Sequence, residues 1–262
     1  MARTSRWKGN VVIKGFTEYE LSSWKYFSDF VSQILLNYSN YVFRGQADSN
    51  WKLEPTLDRL VKDPESLKRS KLLNAFKYET RGRRGSNPSE MKSENDWWAL
   101  GQHHGLYTPL LDWTESPFVA LYFAASQAFK EKTNSFAVYA FYQSSAYNFS
   151  EKIKQNNKVD LINGHKPTLK IIRPLSDENS RLVSQRGLFT RGPNNLDMKA
   201  WVQKFNTYKC GEMTLIKITI PTKALDDCLK YLNRMNINDS TLFPDLTGAS
   251  DYCNKLINID EY

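Results

Sequence analysis

Ser116-Pro117 opens a helix that runs from Phe118 to about Phe129, and this segment carries the most apolar surface in the chain. A serine able to cap and a proline at the first helical position define its start. Its unbroken apolar run, Phe118 to Ala125, is far shorter than the ~20 residues that span a bilayer. Such a helix must be covered by protein. The polar residues just before it, in Leu111-Asp112-Trp113-Thr114, therefore sit among apolar elements and need a reason to be there.

The remaining pattern mixes short strands with helices. Val11-Val-Ile13 reads as a short strand. From Ser22, Trp24, Phe27, Phe30, Val31, Ile34 and Leu35 recur at helical spacing. Tyr41-Val-Phe43 reads as a buried strand running into Arg44-Gly45. Asp63-Pro64-Glu65 predicts a helix start, and Ser93-x-x-Asp96 another, for a helix with Trp97, Trp98 and Leu100 that closes near Gly105. Ser135 to Tyr142 is a core strand, and residues 143–168 form a polar excursion. Thr214, Ile216, Ile218 and Ile220 mark a strand ended by Pro221. Residues 222–235 are helical, and the acidic end adds a last helix. Without strict strand–helix alternation, these elements predict one α+β domain, a mixed sheet core flanked by helices. We divide the chain into an N-terminal extension and helix over 1–39, a domain over 40–250 and a tail over 251–262.

Charge is unevenly placed. The chain has 36 Lys and Arg against 28 Asp and Glu, a net +8, with the excess in residues 62–92 and 151–210 and an acidic balance in 224–262. A basic centre attracts a polyanion such as a nucleic acid, or an acidic protein, and equally fits solvated surface faces. Arg81, Arg83 and Arg84 sit in a loop broken by Gly82, Gly85 and Pro88, which suits phosphate contact. Cys210, Cys228 and Cys253 form no C-x-x-C pair and read as reduced, mostly buried thiols; with no signal-peptide core at the N-terminus, the expectation is a cytoplasmic protein without membrane contact. Three histidines, His103, His104 and His165, form no metal motif, so no transition metal is expected.

Several constellations bear chemistry. Phe43-Arg44-Gly45-Gln46 places a guanidinium fork at a strand end, suited to phosphate or carboxylate or to a structural ion pair. In Gln102-His103-His104-Gly105 and Asp112-Trp113-Thr114, Asp112 either caps the following helix or lies beside an anion site, with Trp113 and Tyr122 as a stacking platform. Arg181 and Gln185 are neighbours if their segment forms a helical turn before Gly187. Thr241 to Gly248 reads as a capping loop.

Taken together, F-R-G-Q at Phe43 to Gln46, W-x-L-x-P from Trp51, Q-H-x-G from Gln102, L-L-D-W-T from Leu110, A-L-Y-F-A from Ala120, Q-x-G-L-F-T from Gln185 and L-F-P-D-L from Leu242 resemble the FRG domain family, named for its Phe-Arg-Gly motif. The resemblance runs over roughly residues 40–250 and implies no reaction by itself.

The order of Arg44-Gly45, Asp112-Trp113-Thr114 and Gln185 is also similar to that of ADP-ribosyltransferases. That resemblance implies an ADP-ribosyltransferase-like fold and NAD as substrate, for an ADP-ribosyltransferase or an NAD glycohydrolase. Arg44, Thr114 and Gln185 are then the catalytic set, and Arg44, Gly45, Gln46, His103, Asp112, Trp113 and Tyr122 the cofactor-binding one. A carboxylate usually supports the ribosyl cation in such enzymes; here Gln185, Glu212 or Asp245 takes that position. The target is a nucleic acid, held by Arg81, Arg83 and Arg84, or a protein. A toxin or phage-defence role would add an antagonist protein as partner. The alternatives are a non-enzymatic nucleotide or nucleic-acid binding module and, last, a metal-dependent nuclease using Asp112.

Overall fold

A computed structural model describes residues 5–174, 180–206 and 213–262. Its elements in chain order are β1 (Trp7–Gly9), β2 (Phe16–Leu21), α1 (Phe27–Phe30), β3 (Tyr41–Gln46), α2 (Thr56–Leu60), α3 (Lys68–Glu79), α4 (Glu94–His103), β4 (Leu110–Thr114) and α5 (Pro117–Glu131). There follow β5 (Ser135–Tyr142), α6 (Gln143–Gln155), β6 (Lys170–Ile172), α7 (Ser180–Ser184), β7 (Gly187–Arg191), α8 (Met198–Phe205), β8 (Leu215–Pro221), α9 (Leu225–Arg234), α10 (Asp239–Leu242) and α11 (Leu246–Asn258).

The eight strands form one mixed sheet in the order β1-β2-β8-β5-β3-β4-β7-β6, in which β2 and β8 are parallel and the other pairs antiparallel. Both faces are covered, which makes this an α+β domain with a mixed sheet core flanked by helices. The central strands β5 and β8 show why. Phe136, Val138 and Ala140 join Ile216, Ile218 and Ile220 on the face packed by α5 and α9, while Ala137, Tyr139, Phe141 and Leu215 face α6 and α8. β5, covered on both sides, is apolar at nearly every position, whereas β8 keeps Lys217 and Thr219 between its isoleucines, with Lys217 paired to Glu18. Burying each large side chain here contributes roughly 1.5–3 kcal/mol. A smaller cluster, with Leu57, Leu73, Trp98, Leu110 and Phe189, packs α2 to α4 against β4 and β7.

Local signals succeed where caps are explicit. Ser93 and Asp96 form the reciprocal capping box of α4, Ser116 caps α5 through the Val119 N–H with Pro117 at its first turn, and Asp245 caps α11 through the Gly248 N–H. Four expectations are corrected. The strand expected at 11–13 is displaced: Val11 and Ile13 are exposed, and the strands lie on either side. Asp63 accepts the Glu65 N–H to form a turn, and α3 begins only at Lys68. The excursion at 143–168 begins as helix α6, which buries Ala146, Phe149 and Ile153. Of the three thiols, Cys228 is buried, Cys253 is exposed and Cys210 lies outside the described residues.

Candidate functional site

Strand β3 pairs with β5 over six residues but with β4 at one position only, Phe43 opposite Thr114. Beyond that pair, Arg44 takes over the link: its Nη1 donates to the Asp112 carbonyl at 2.8 Å and reaches the Asp112 carboxylate at 3.3 Å. Gly45 follows because α5 crosses there. A Cβ on Gly45 would stand 2.6 Å from the Ala124 nitrogen and nearer still to the Ala120 oxygen. The glycine is thus required by helix–strand contact rather than by a ligand at an open backbone.

A cleft of about 500 Å³ lies at this split and is lined by Arg44, Gly45, Asp112, Trp113, Thr114, Tyr122 and Gln185, together with Phe123, Asp239 and Phe243 among others. The sequence-derived set thereby converges from three distant segments. Asp112 is held from two sides, since Gln102 Nε2 donates to the same carboxylate oxygen at 2.8 Å and Gln102 Oε1 accepts from the Thr108 hydroxyl. Thr114 works as a brace: its hydroxyl donates to the Gln185 carbonyl at 2.6 Å and accepts the Ser116 N–H at 3.1 Å. Gln185 Nε2 in turn donates to the Leu242 carbonyl at 3.1 Å. Arg44 Nε is buried without an acceptor among the described residues.

Three expected residues have other placements. Trp113 is buried, tilted against Phe141, and its Nε1 donates to the Thr190 hydroxyl at 2.9 Å, so its ring offers no stacking face. Gln46 is buried and donates to the Lys52 carbonyl. His103 stacks edge-on with His104 and does not line the cleft. The neighbouring Gln102 is the member of that motif that reaches Asp112. Tyr122 keeps its place on the wall with its hydroxyl pushed far above the usual range, chiefly by burial. Ring faces at the cleft come instead from Phe123 and Phe243, whose centroids are 5.9 Å apart.

Acids are present where the segment around Gln185 offers none. Asp112, Glu131, Asp239 and Asp251 line the cleft. Asp239 forms a buried ion pair with Lys255, which also lies 5.4 Å from the Tyr122 ring. Asp245 does not line it: it caps α11 and pairs with Arg181 at 2.6 Å, and Glu212 falls outside the described residues. Arg181 and Gln185 do share one helical turn, closed by the Gln185 N–H on the Arg181 carbonyl. Arg81, Arg83 and Arg84 lie away from the cleft, over Tyr78, beside Glu79 and over Trp97 respectively. No group of three or more metal-ligating side chains occurs among the described residues, and no described helix is long and apolar enough to cross a membrane.

Comparison with curated proteins finds no match, and comparison with solved structures finds none. The family model of the FRG domain matches residues 39–133. That segment holds β3, α2 to α4, β4 and α5, and so contains Arg44, Gly45, Gln102, Asp112 and Thr114. Residues 39–133 thus carry an FRG domain, and its Arg44, Gly45, Asp112 and Thr114 meet at the cleft, with Gln102 behind Asp112.

Proposed function

We propose that the cleft binds NAD and that the chain is an ADP-ribosyltransferase-like enzyme acting on a nucleic acid or a protein. The convergence of Arg44, Asp112, Thr114 and Gln185 on one cavity is the observation that supports this reading. The volume falls in the range of pockets that enclose small organic ligands. Arg44 lines the cleft, and its guanidinium fork suits a phosphate or ribose oxygen. In the reaction, the C1′–N bond of NAD breaks and nicotinamide leaves with the electron pair. An acceptor lone pair then bonds C1′, and the acceptor's proton passes to solvent. Asp112, exposed on its carboxylate side and held by Arg44 and Gln102, is the carboxylate suited to stand beside the cationic ribosyl centre. Thr114 and Gln185 hold the wall, and Phe123 or Phe243 supplies the apolar face.

The test is nicotinamide release from NAD with mixed RNA, DNA and protein, comparing wild type with Arg44→Ala and Asp112→Asn. Release by wild type and loss in both variants is expected, with a thermal shift by NAD that Arg44→Ala abolishes. Binding without release would reduce the chain to a nucleotide-binding module, and neither binding nor release at millimolar NAD would end the proposal.

A further inference from the structure

A second cleft, of about 600 Å³, opens beside β6 and β7 and shares no lining residue with the first. Its walls come from α3, α4, the segment 162–170 and the turn after β7. Arg69, Lys154, Lys166, Lys170 and Arg191 line it, with His165, against two carboxylates, Glu65 and Glu94. The loop of Arg81, Arg83 and Arg84 contributes nothing to it.

Lys170 and Arg191 are direct cross-strand partners on β6 and β7, so two like charges share one face of an antiparallel pair. Such pairs destabilise a sheet, and an anion bridging them removes the repulsion. Arg191 is 3.9 Å from Glu94 and donates to Asn95 at 2.7 Å, and burial, followed by the charges of Glu94 and Arg69, governs its titration, with the net effect downward. Other cations are already partnered: Arg69 with Asp58 at 2.6 Å and Lys154 with Glu151 at 2.7 Å. Lys166 bonds to the Lys154 carbonyl and to Asn157. The cationic groups opposite no carboxylate in these contacts, Lys166 and Lys170, line the same cleft as Arg191. Leu57, Leu73, Pro109 and Pro193 supply apolar wall beside them, so that the cleft offers both charge and a dry surface.

We propose that this second cleft binds a phosphate-rich anion, gripped by Lys166, Lys170 and Arg191, with the attached organic group against the apolar wall. Two sources share that chemistry: a free nucleotide polyphosphate and the backbone of a single-stranded nucleic acid. Charge complementarity governs both, and affinity falls as salt rises.

The test uses the whole chain with two probes, inorganic tripolyphosphate and a fluorescent single-stranded RNA oligonucleotide, in calorimetry and anisotropy. Lys166→Glu/Lys170→Glu changes two residues of the cleft's wall and is expected to weaken each bound probe at least tenfold. Circular dichroism and melting confirm that the variant folds. For RNA, losing two phosphate contacts flattens the salt slope by roughly 1.4, at ~0.7 per contact. Tripolyphosphate binding identifies a compact anion, RNA binding alone identifies the nucleic-acid backbone, and either supports the site. Loss of probe binding in Arg44→Ala, with the double variant unaffected, would place the anion in the first cleft and overturn the proposal. Failure of both probes to bind, or binding unchanged in the double variant, overturns the proposal.

Discussion

Gly45 and Ala124 approach so closely that a Cβ on the glycine would lie 2.6 Å from the Ala124 amide nitrogen. The Phe-Arg-Gly motif is thus a joint: Arg44 links β3 to β4 while Gly45 admits α5 against the same strand. Gly45→Ala is expected to destabilise the protein by about 1–3 kcal/mol or more, because the obstruction is backbone rather than a flexible side chain. Thermal melting reads this, at roughly 2–4 °C per kcal/mol for a chain near this size. An unchanged melting temperature would show that α5 does not bear on Gly45.

Gln102 positions Asp112 without lining the cleft. If the first cleft cleaves NAD, Gln102→Leu is expected to lower kcat by ~10–100-fold, the equivalent of a lost hydrogen bond to a charged group at roughly 1.5–3 kcal/mol. KM should move less than kcat. Partial rescue by Gln102→Asn would confirm a positioning role, and a variant with normal kcat would remove it.

Asp239 and Lys255 are both buried and ion-paired. Lys255→Met strands the carboxylate and is expected to cost about 3–5 kcal/mol, whereas Asp239→Asn/Lys255→Met together cost much less. Denaturant titrations of wild type, Asp239→Asn, Lys255→Met and the double variant give the coupling. A single variant as stable as wild type would contradict the pairing.

Asp245 is held below the usual carboxylate range, first by the Gly248 N–H and then by Arg181. With its folded pKa depressed, the stability it adds is present above its unfolded value, about 3.9, and disappears as pH falls through the folded value. The gap in denaturation midpoint between wild type and Asp245→Asn should therefore be full at pH 7 and shrink on acidification toward pH 3. A gap that grows with acid has the wrong sign for this assignment.

Cys253 is exposed, while burial pushes the Cys228 thiol up to about 12. Iodoacetamide at pH 8, followed by peptide mass spectrometry, should label Cys253 in the native protein and Cys228 only after denaturation. Native labelling of Cys228 would mean that the α5–α9 face opens readily.

The capped helices α4, α5 and α11 and the strands β3, β5 and β8 were legible in the chain, because capping and apolar runs act within a few residues of one another. Arg44, Asp112, Thr114 and Gln185 stood in the chain only as an ordered resemblance, and their meeting at one cleft depends on segments far apart in sequence. Helix α6 was missed because its buried face, Ala146, Phe149 and Ile153, is narrow and set in polar sequence. Only the tertiary structure decided which way each motif residue points. One residue's shift along a strand reverses its face, which is how Trp113 comes to be buried on β4 between the cleft residues Asp112 and Thr114. Long-range pairing likewise brought Lys170 opposite Arg191 and Gln102 to Asp112. Such pairings depend on strand register and helix packing, which no local window of sequence contains.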